Sequence, residues 1–297
     1  MRYLDPKADL TFKKVFGEHP DLVMSLLNAL LPLEPGREIT SIEYLAPEQA
    51  PRTPTRKNSI VDVKCRERDG RQFIVEMQME WTTEFKQRVM FNAAKAYVNQ
   101  LDKGDRFSNL QPVYSLNLVN DIFEPDKDEF YHYYRMVHER HSDRVIEGLH
   151  LVFVELPKFQ PHTVSDKKMM VLWLRFLTEV GGKSQTVPPE LLENPEVQRA
   201  VEIVEESGYT PEEMAGYDKF WDDVRVEKAF INEAEYRYAA GLEKGRAEGE
   251  AKGRAEGEAK GRHEAAIDMA RSMKAAGLTS DMISKVTGLD ISIIDSL

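Results

Sequence analysis

Asp62, Glu76 and Gln78 are the residues whose types and spacing suggest chemistry. Each sits in an apolar run, Ile60-Val61-Asp62-Val63 or Phe73-Ile74-Val75-Glu76-Met77-Gln78-Met79. Runs rich in Ile, Val and Phe read as β-strands, and a carboxylate embedded in one is costly unless something pairs with it. Two carboxylates side by side on a sheet repel each other unless a cation lies between them. Mg²⁺ or Mn²⁺ suits such a pair, because a hard divalent ion takes a few carboxylate oxygens and keeps its waters. That ion can polarise a phosphoryl oxygen and acidify a bound water, which is how phosphodiesters are cleaved. Gln78 cannot act as a base; its amide is suited to orienting the attacking water or donating to the scissile phosphate. Spacing alone is a weak signal, since charged residues on strands usually face solvent.

The two acids meet only if the hairpin register is right. Side chains alternate faces along a strand, so Asp62 goes with Lys64 and Glu76 with Gln78. Asp69-Gly70 marks the turn. A two-residue turn would pair 62 with 77 and put the acids on opposite faces. A three-residue loop, Arg68-Asp69-Gly70, pairs 62 with 76, and its last position favours a left-handed glycine. The expectation is an even register with Gly70 left-handed.

The elements around this hairpin follow from periodicity and punctuation. Residues 9–16 read as a short helix stopped by Gly17, and Pro20 opens an amphipathic helix carrying Leu22, Val23, Leu26, Leu27 and Leu30. Residues 34–58 read as loop with a strand at 39–45. Strands at 59–66 and 72–79 flank the turn. A helix over about 84–102 buries Val89, Ala93, Ala94, Tyr97, Val98 and Leu101, and strands at 113–119 and 149–156 follow. Strand–strand–helix–strand–strand fits an α/β layer with a mixed sheet flanked by helices. His132, His138 and His141 read as a loop cluster rather than a metal site. Cys65, Trp173 and Trp221 read as packing residues.

From about residue 164 the pattern is helical, over 169–180, 195–207 and 217–241. Gly-Arg-Ala-Glu-Gly-Glu-Ala-Lys at 245–252 then recurs at 253–260, with glycine every fourth position from 241 to 261. Glycine costs up to about 1 kcal/mol per helical position relative to alanine, partly offset by alanines and close opposite charges. The repeat reads either as a linker or as a helix that associates with a second copy. A small helical module ends the chain. Its last segment, Asp290-Ile-Ser-Ile-Ile-Asp-Ser-Leu297, has none of the basic or amide side chains that read DNA, so protein contact is the better reading. Four parts are expected: a core at 1–163, a helical extension at 164–240, the repeat at 241–262 and the module at 263–297.

Composition narrows the class. The single cysteine excludes an intramolecular disulfide and a cysteine-based zinc site. No segment resembles a signal peptide or a membrane span, so a cytoplasmic location is expected. The net charge of −11 opposes nucleic acid on average, yet Arg52–Arg71 is basic, with Lys57, Lys64 and Arg66 able to contact a phosphate backbone. Arg88 on the following helix is a further candidate.

Several stretches together resemble a known family: Asp9-Leu-Thr-Phe-Lys-Lys-Val-Phe-Gly17, Ile60-Val-Asp-Val63, Val75-Glu-Met-Gln78, Gly104-Asp-Arg-Phe107 with Leu110-Gln-Pro-Val-Tyr114, and Glu155-Leu-Pro-Lys-Phe159. They resemble, in order over roughly residues 1–160, the Rpn-type recombination-promoting nucleases, also described as PD-(D/E)XK family transposases. The resemblance implies a restriction-endonuclease-like core and Mg²⁺-dependent DNA cleavage of low sequence specificity, linked to recombination, mobile elements or phage defence. It implies Asp62 and Glu76 as metal ligands, Gln78 where the superfamily has lysine, and Asp9 as an additional acid. Lys64 is then either a displaced catalytic lysine or a phosphate contact. DNA and a second copy of the chain, joined through the C-terminal helices, are the expected partners. The rival expectation is a catalytically inactive nucleic-acid- or protein-binding module with an oligomerising tail.

Overall fold

The computed structural model describes residues 2–49, 59–161, 168–181 and 186–297; Lys57, one of the expected phosphate contacts, lies outside them. The chain divides into two compact units, Met1–Lys228 and Ala229–Leu297.

The first unit is an α/β layer built on a six-stranded sheet. Its strands are β1 (Ile42–Tyr44), β4 (Val63–Glu67), β5 (Gln72–Gln78), β6 (Val113–Val119), β7 (Tyr131–His138) and β8 (His141–Glu155), in the order β1-β4-β5-β6-β8-β7. The sheet is mixed: β5, β6 and β8 run parallel, and the remaining pairs are antiparallel. A separate two-stranded ladder joins β2 (Glu48–Gln49) to β3 (Ser59–Ile60). Alternation sorts the side chains. Phe73, Val75, Leu116, Leu118, Val152 and Val154 pack on one face against α1 (Asp9–Phe12), α2 (Pro20–Leu30), α4 (Lys168–Glu179) and α6 (Pro195–Ile203). Ile74, Val113, Leu149 and Leu151 face α3 (Phe85–Val98) on the other side. The short helix α5 (Pro189–Leu192) adds Leu191 to the first layer.

The expected short first helix is four residues of α1, followed at once by one π-helical turn, Lys13–Gly17, a widened turn common at functional sites. Its Phe12 and Phe16 rings pack against each other, and Phe16 meets Trp173 edge-on. The expected strand at 59–66 is broken: β3 stops at Ile60, Asp62 sits in a bend, and β4 begins at Val63. The segment around His132 and His138 is a strand rather than a loop. β8 begins eight residues earlier than the expected strand at 149, because it pairs with β7 as a long hairpin through two register shifts. Polar Tyr, His and Arg residues on this exposed hairpin hid its period in the sequence.

One helix, α7 (Pro211–Ala275), spans the region read as a separate helix plus the repeat. Up to Lys228 it belongs to the first unit, where the Tyr217 hydroxyl accepts from the Asp5 N–H at 2.9 Å and Lys14 pairs with Glu213 at 2.8 Å. In the second unit its glycines meet nothing within 4 Å. Ion pairs four residues apart, such as Arg246–Glu250 at 2.8 Å, line this exposed stretch. Beyond it, α8 (Ser280–Thr287) and α9 (Ile291–Ser296) close a small core of Ala270, Ile283, Leu289 and Ile294. Gly288, at φ +71°, caps α8 in the left-handed region.

Candidate active site

The hairpin carries the register with which the acids can meet. Val63 pairs with Val75, Cys65 with Phe73 and Arg66 with Gln72. The Glu67 N–H donates to the Arg71 carbonyl at 2.9 Å and the Gly70 N–H to the Glu67 carbonyl at 2.9 Å. The loop is therefore Arg68-Asp69-Gly70, and Gly70 has φ +94°. Continuing that register by one residue sets position 62 opposite 76.

Asp62 does not continue the ladder with its backbone. The chain bends away there, and the Val61 N–H donates to Pro47 instead. The Asp62 carboxylate turns inward and accepts the Met77 N–H at 2.7 Å through Oδ2. In a continuous antiparallel ladder that N–H would belong to the Val61 carbonyl. A side chain has replaced a main-chain bond, which fixes one carboxylate oxygen and leaves the other available.

Glu76 lies deeper, at 6% exposure, on the α3 face. Asn92 Nδ2 donates to its Oε1 at 2.9 Å. Burial pushes its pKa up from 4.5 to about 6; the Asp62 carboxylate pushes the same way, and the Asn92 hydrogen bond and Arg88 oppose. Asp62 is likewise raised by burial, with Asp9 adding to the rise and the Met77 N–H, Lys13 and Arg88 opposing it. The two acids thus sense each other, and each keeps one oxygen outside its fixed hydrogen bond.

Gln78, at the end of β5, is locked at both ends of its amide. Its Nε2 donates to the Glu80 carbonyl at 2.7 Å, and its Oε1 accepts from Arg88. Arg88 and Asn92 are one helical turn apart, so a polar row on α3 overlies the acids. Asp9 is exposed and paired with Lys13, the residue four positions on, at 2.6 Å. Lys64 is half-buried; burial and then the nearby Lys95 ammonium lower its pKa. Arg66 is elsewhere on the sheet, with Nε bound to Glu43 at 2.9 Å. Buried Glu80, just past β5, takes Lys228 of α7 at 3.3 Å.

Asp62, Glu76, Gln78, Asp9 and Arg88 therefore gather around one end of the hairpin; Lys64, opposite Ile74, senses Lys95 instead, and Arg66 pairs with Glu43. Among the described residues no three His, Cys, Asp or Glu side chains form a ready-made metal cage. The geometry offers two carboxylate oxygens instead.

A model of the PD-(D/E)XK nuclease family transposases matches residues 6–234. The chain belongs to that family. The match extends past the hairpin and the sheet into the first part of α7, so the PD-(D/E)XK family domain includes the helices after residue 164 as well as the sheet. No curated protein and no solved structure gives a significant match.

Within this PD-(D/E)XK protein, the sequence reading missed Lys13, Asn92 and the Glu80–Lys228 pair. Asn92 was legible in principle, as a polar residue between Val89 and Ala93 on a buried stripe. The Glu80–Lys228 pair joins positions 148 apart, and no local pattern announces it. His132 is a structural neighbour, with Nε2 2.8 Å from the fully buried Glu155 carboxylate, which also takes the Phe123 N–H and Lys158. Among the described residues none of the three histidines belongs to a metal-binding group.

Proposed function

We propose that this chain is a divalent-metal-dependent DNA endonuclease of low sequence specificity, acting in recombination, mobile-element transfer or phage defence. The observation that carries the reading is Glu76, a buried carboxylate on a core strand whose ionisation the nearby Asp62 carboxylate opposes. Without a cation such a pair is a pure cost, because burial and mutual repulsion both oppose its ionisation. The residues present fit Mg²⁺ or Mn²⁺: Asp62 and Glu76 each contribute one free oxygen, and these ions accept few protein oxygens and retain waters. When bound, the ion supplies Lewis acidity and an acidified water.

The chain's own groups supply the remainder. Asn92 holds Glu76 in one orientation, and the Met77 N–H does the same for Asp62. Gln78, braced by Arg88 and the Glu80 carbonyl, presents a fixed amide to the attacking water or the scissile phosphate. Lys13, Arg88 and Lys64 supply positive charge where a phosphodiester backbone must lie, and Asp9 is the outlying acid. The gathered cations explain how an acidic protein can take DNA at one locus. A homo-oligomer joined through the C-terminal helices completes the proposal.

Plasmid nicking by the intact chain tests it, with Mg²⁺, with EDTA, and as Asp62→Asn. The variant keeps an oxygen for the Met77 N–H while losing the charge. Nicking that requires metal and disappears in the variant is the expected result. Equal nicking in all three, or none with Mg²⁺ and none with Mn²⁺ in its place, sinks the enzymatic reading.

A further inference from the structure

A polar cavity lies on the opposite face of the sheet from Glu76. Phe73, Tyr114, His150 and Tyr133 project side by side from β5, β6, β8 and β7 on the face away from α3. Their rings form a ladder, with centroids 5.7, 4.3 and 6.0 Å apart and planes within 23° of parallel. Phe73 is three residues back along β5 from Glu76, about 10 Å at strand rise. Over this ladder opens a cavity of about 490 Å³.

Three arginines and His150 line the cavity, with the carboxylates of Glu34 and Glu147 beside them. Arg37 and Arg135 line it from exposed positions, and buried Arg71 braces it from beneath. Arg71 spends its own guanidinium on Glu67, at 2.6 Å, and on the Arg37 carbonyl, at 3.0 Å. It therefore positions the Arg37 backbone and leaves the Arg37 side chain for a ligand. His150 Nδ1 is engaged by the Tyr133 hydroxyl at 2.6 Å. With that hydroxyl donating, the ring proton sits on Nε2, which is buried and has no aligned hydrogen-bond partner. The nearest group is Glu147 Oε2, at 2.9 Å, on a side chain that is 63% exposed. This rim carboxylate stands where a ligand's anionic oxygen would lie.

We propose that this cavity binds an organic phosphate monoester of about nucleotide size. The Arg37 guanidinium, the Arg135 guanidinium over the Tyr133 ring, and an imidazole N–H suit a phosphate, whose oxygens match the planar guanidinium fork. The cavity exceeds what a bare phosphate fills, which leaves room for a nucleoside against the edges of the ring ladder. Binding displaces Glu147 from His150. The chemistry has two sources, a free nucleotide and the phosphorylated end of a nucleic-acid strand. Neither needs the Asp62–Glu76 site, so the proposal stands independently of the nuclease reading.

Calorimetry on the full chain in EDTA tests it with three probes: dAMP, a short 5′-phosphorylated single-stranded oligonucleotide, and its 5′-hydroxyl twin. Binding should persist in Glu76→Gln, which separates the two sites. Arg37→Ala and Arg135→Ala are surface changes, and each should weaken binding at least about tenfold, the worth of one charge-assisted hydrogen bond. Glu147→Gln should tighten binding by removing the competing carboxylate. Preference for the phosphorylated oligonucleotide over its twin assigns a strand end, and binding of dAMP with neither oligonucleotide assigns a free nucleotide. Three results each overturn the proposal: equal binding of the two oligonucleotides with no binding of dAMP, affinity indifferent to both arginines, or no binding by wild type and Glu147→Gln at millimolar probe.

Discussion

Replacing Glu76 by Gln should stabilise the metal-free protein at neutral pH, and the size of the effect follows from the site. Glutamine keeps an oxygen for Asn92 and almost the same volume, so the main change is loss of the charge. The Glu76 pKa rises from 4.5 to about 6 on folding. Between these values the folded chain binds more protons than the unfolded one, so stability falls as pH rises through this window. Below about 4.5 the carboxyl is neutral in both states and the variant should match wild type. Above about 6 the full penalty is present; at 1.36 kcal/mol per unit it is about 2 kcal/mol. For a unit of this size that is roughly 4–8 °C in melting temperature. The assay is thermal unfolding of both proteins in EDTA from pH 4 to 8, followed by addition of Mg²⁺ or Mn²⁺ at pH 7.5. Metal should raise the melting temperature of wild type, by mass action on the folded state, and leave the variant unmoved. A variant less stable than wild type at pH 7.5, or a difference that does not shrink toward pH 4.5, refutes the reasoning.

Three further outcomes follow from the same structure. Asn92→Ala removes the hydrogen bond that favours ionised Glu76, so the rising limb of the nicking pH profile should move up by about one unit, the scale of a hydrogen bond to a charged group; an unmoved limb counts against Asn92 as a positioning residue. Gly70→Ala should cost about 1 kcal/mol or more in urea unfolding, because φ is +94° and a Cβ would meet Gln111 Cγ at 2.9 Å; a neutral change would mean that the loop relaxes. Cys65, buried and with its thiol pushed up to about 12, should react with thiol reagents at pH 8 only as fast as the protein unfolds, and reaction at the rate of a free thiol contradicts its burial.

The hairpin was readable in the sequence because its logic is local. Strand parity, a three-residue loop and one glycine decide whether 62 and 76 can meet, and all three lie within seventeen consecutive residues. The α/β layer was legible for the same reason, since each element carries its own apolar period. The bend at Asp62 was not, because Ile60-Val61-Asp62-Val63 reads as continuous strand and only the Met77 N–H reveals the break. β7 escaped because a hairpin exposed on one side needs no apolar alternation there. The continuous α7 escaped because glycine every fourth residue lowers helix propensity, whereas the ion pairs one turn apart and the helical segments before and after it favour continuation. Lys228 over Glu80 depends on tertiary placement alone.

The carboxylate at position 62 has a structural occupation of its own, closing a main-chain gap at Met77, and this changes what the presence of an acid there signifies. A relative with no chemistry at all would still keep an acceptor at 62 to hold its sheet together. Glu76 closes no such gap, and burial opposes its charge. When related chains are sorted into working and silent ones, position 76 is therefore the one to read.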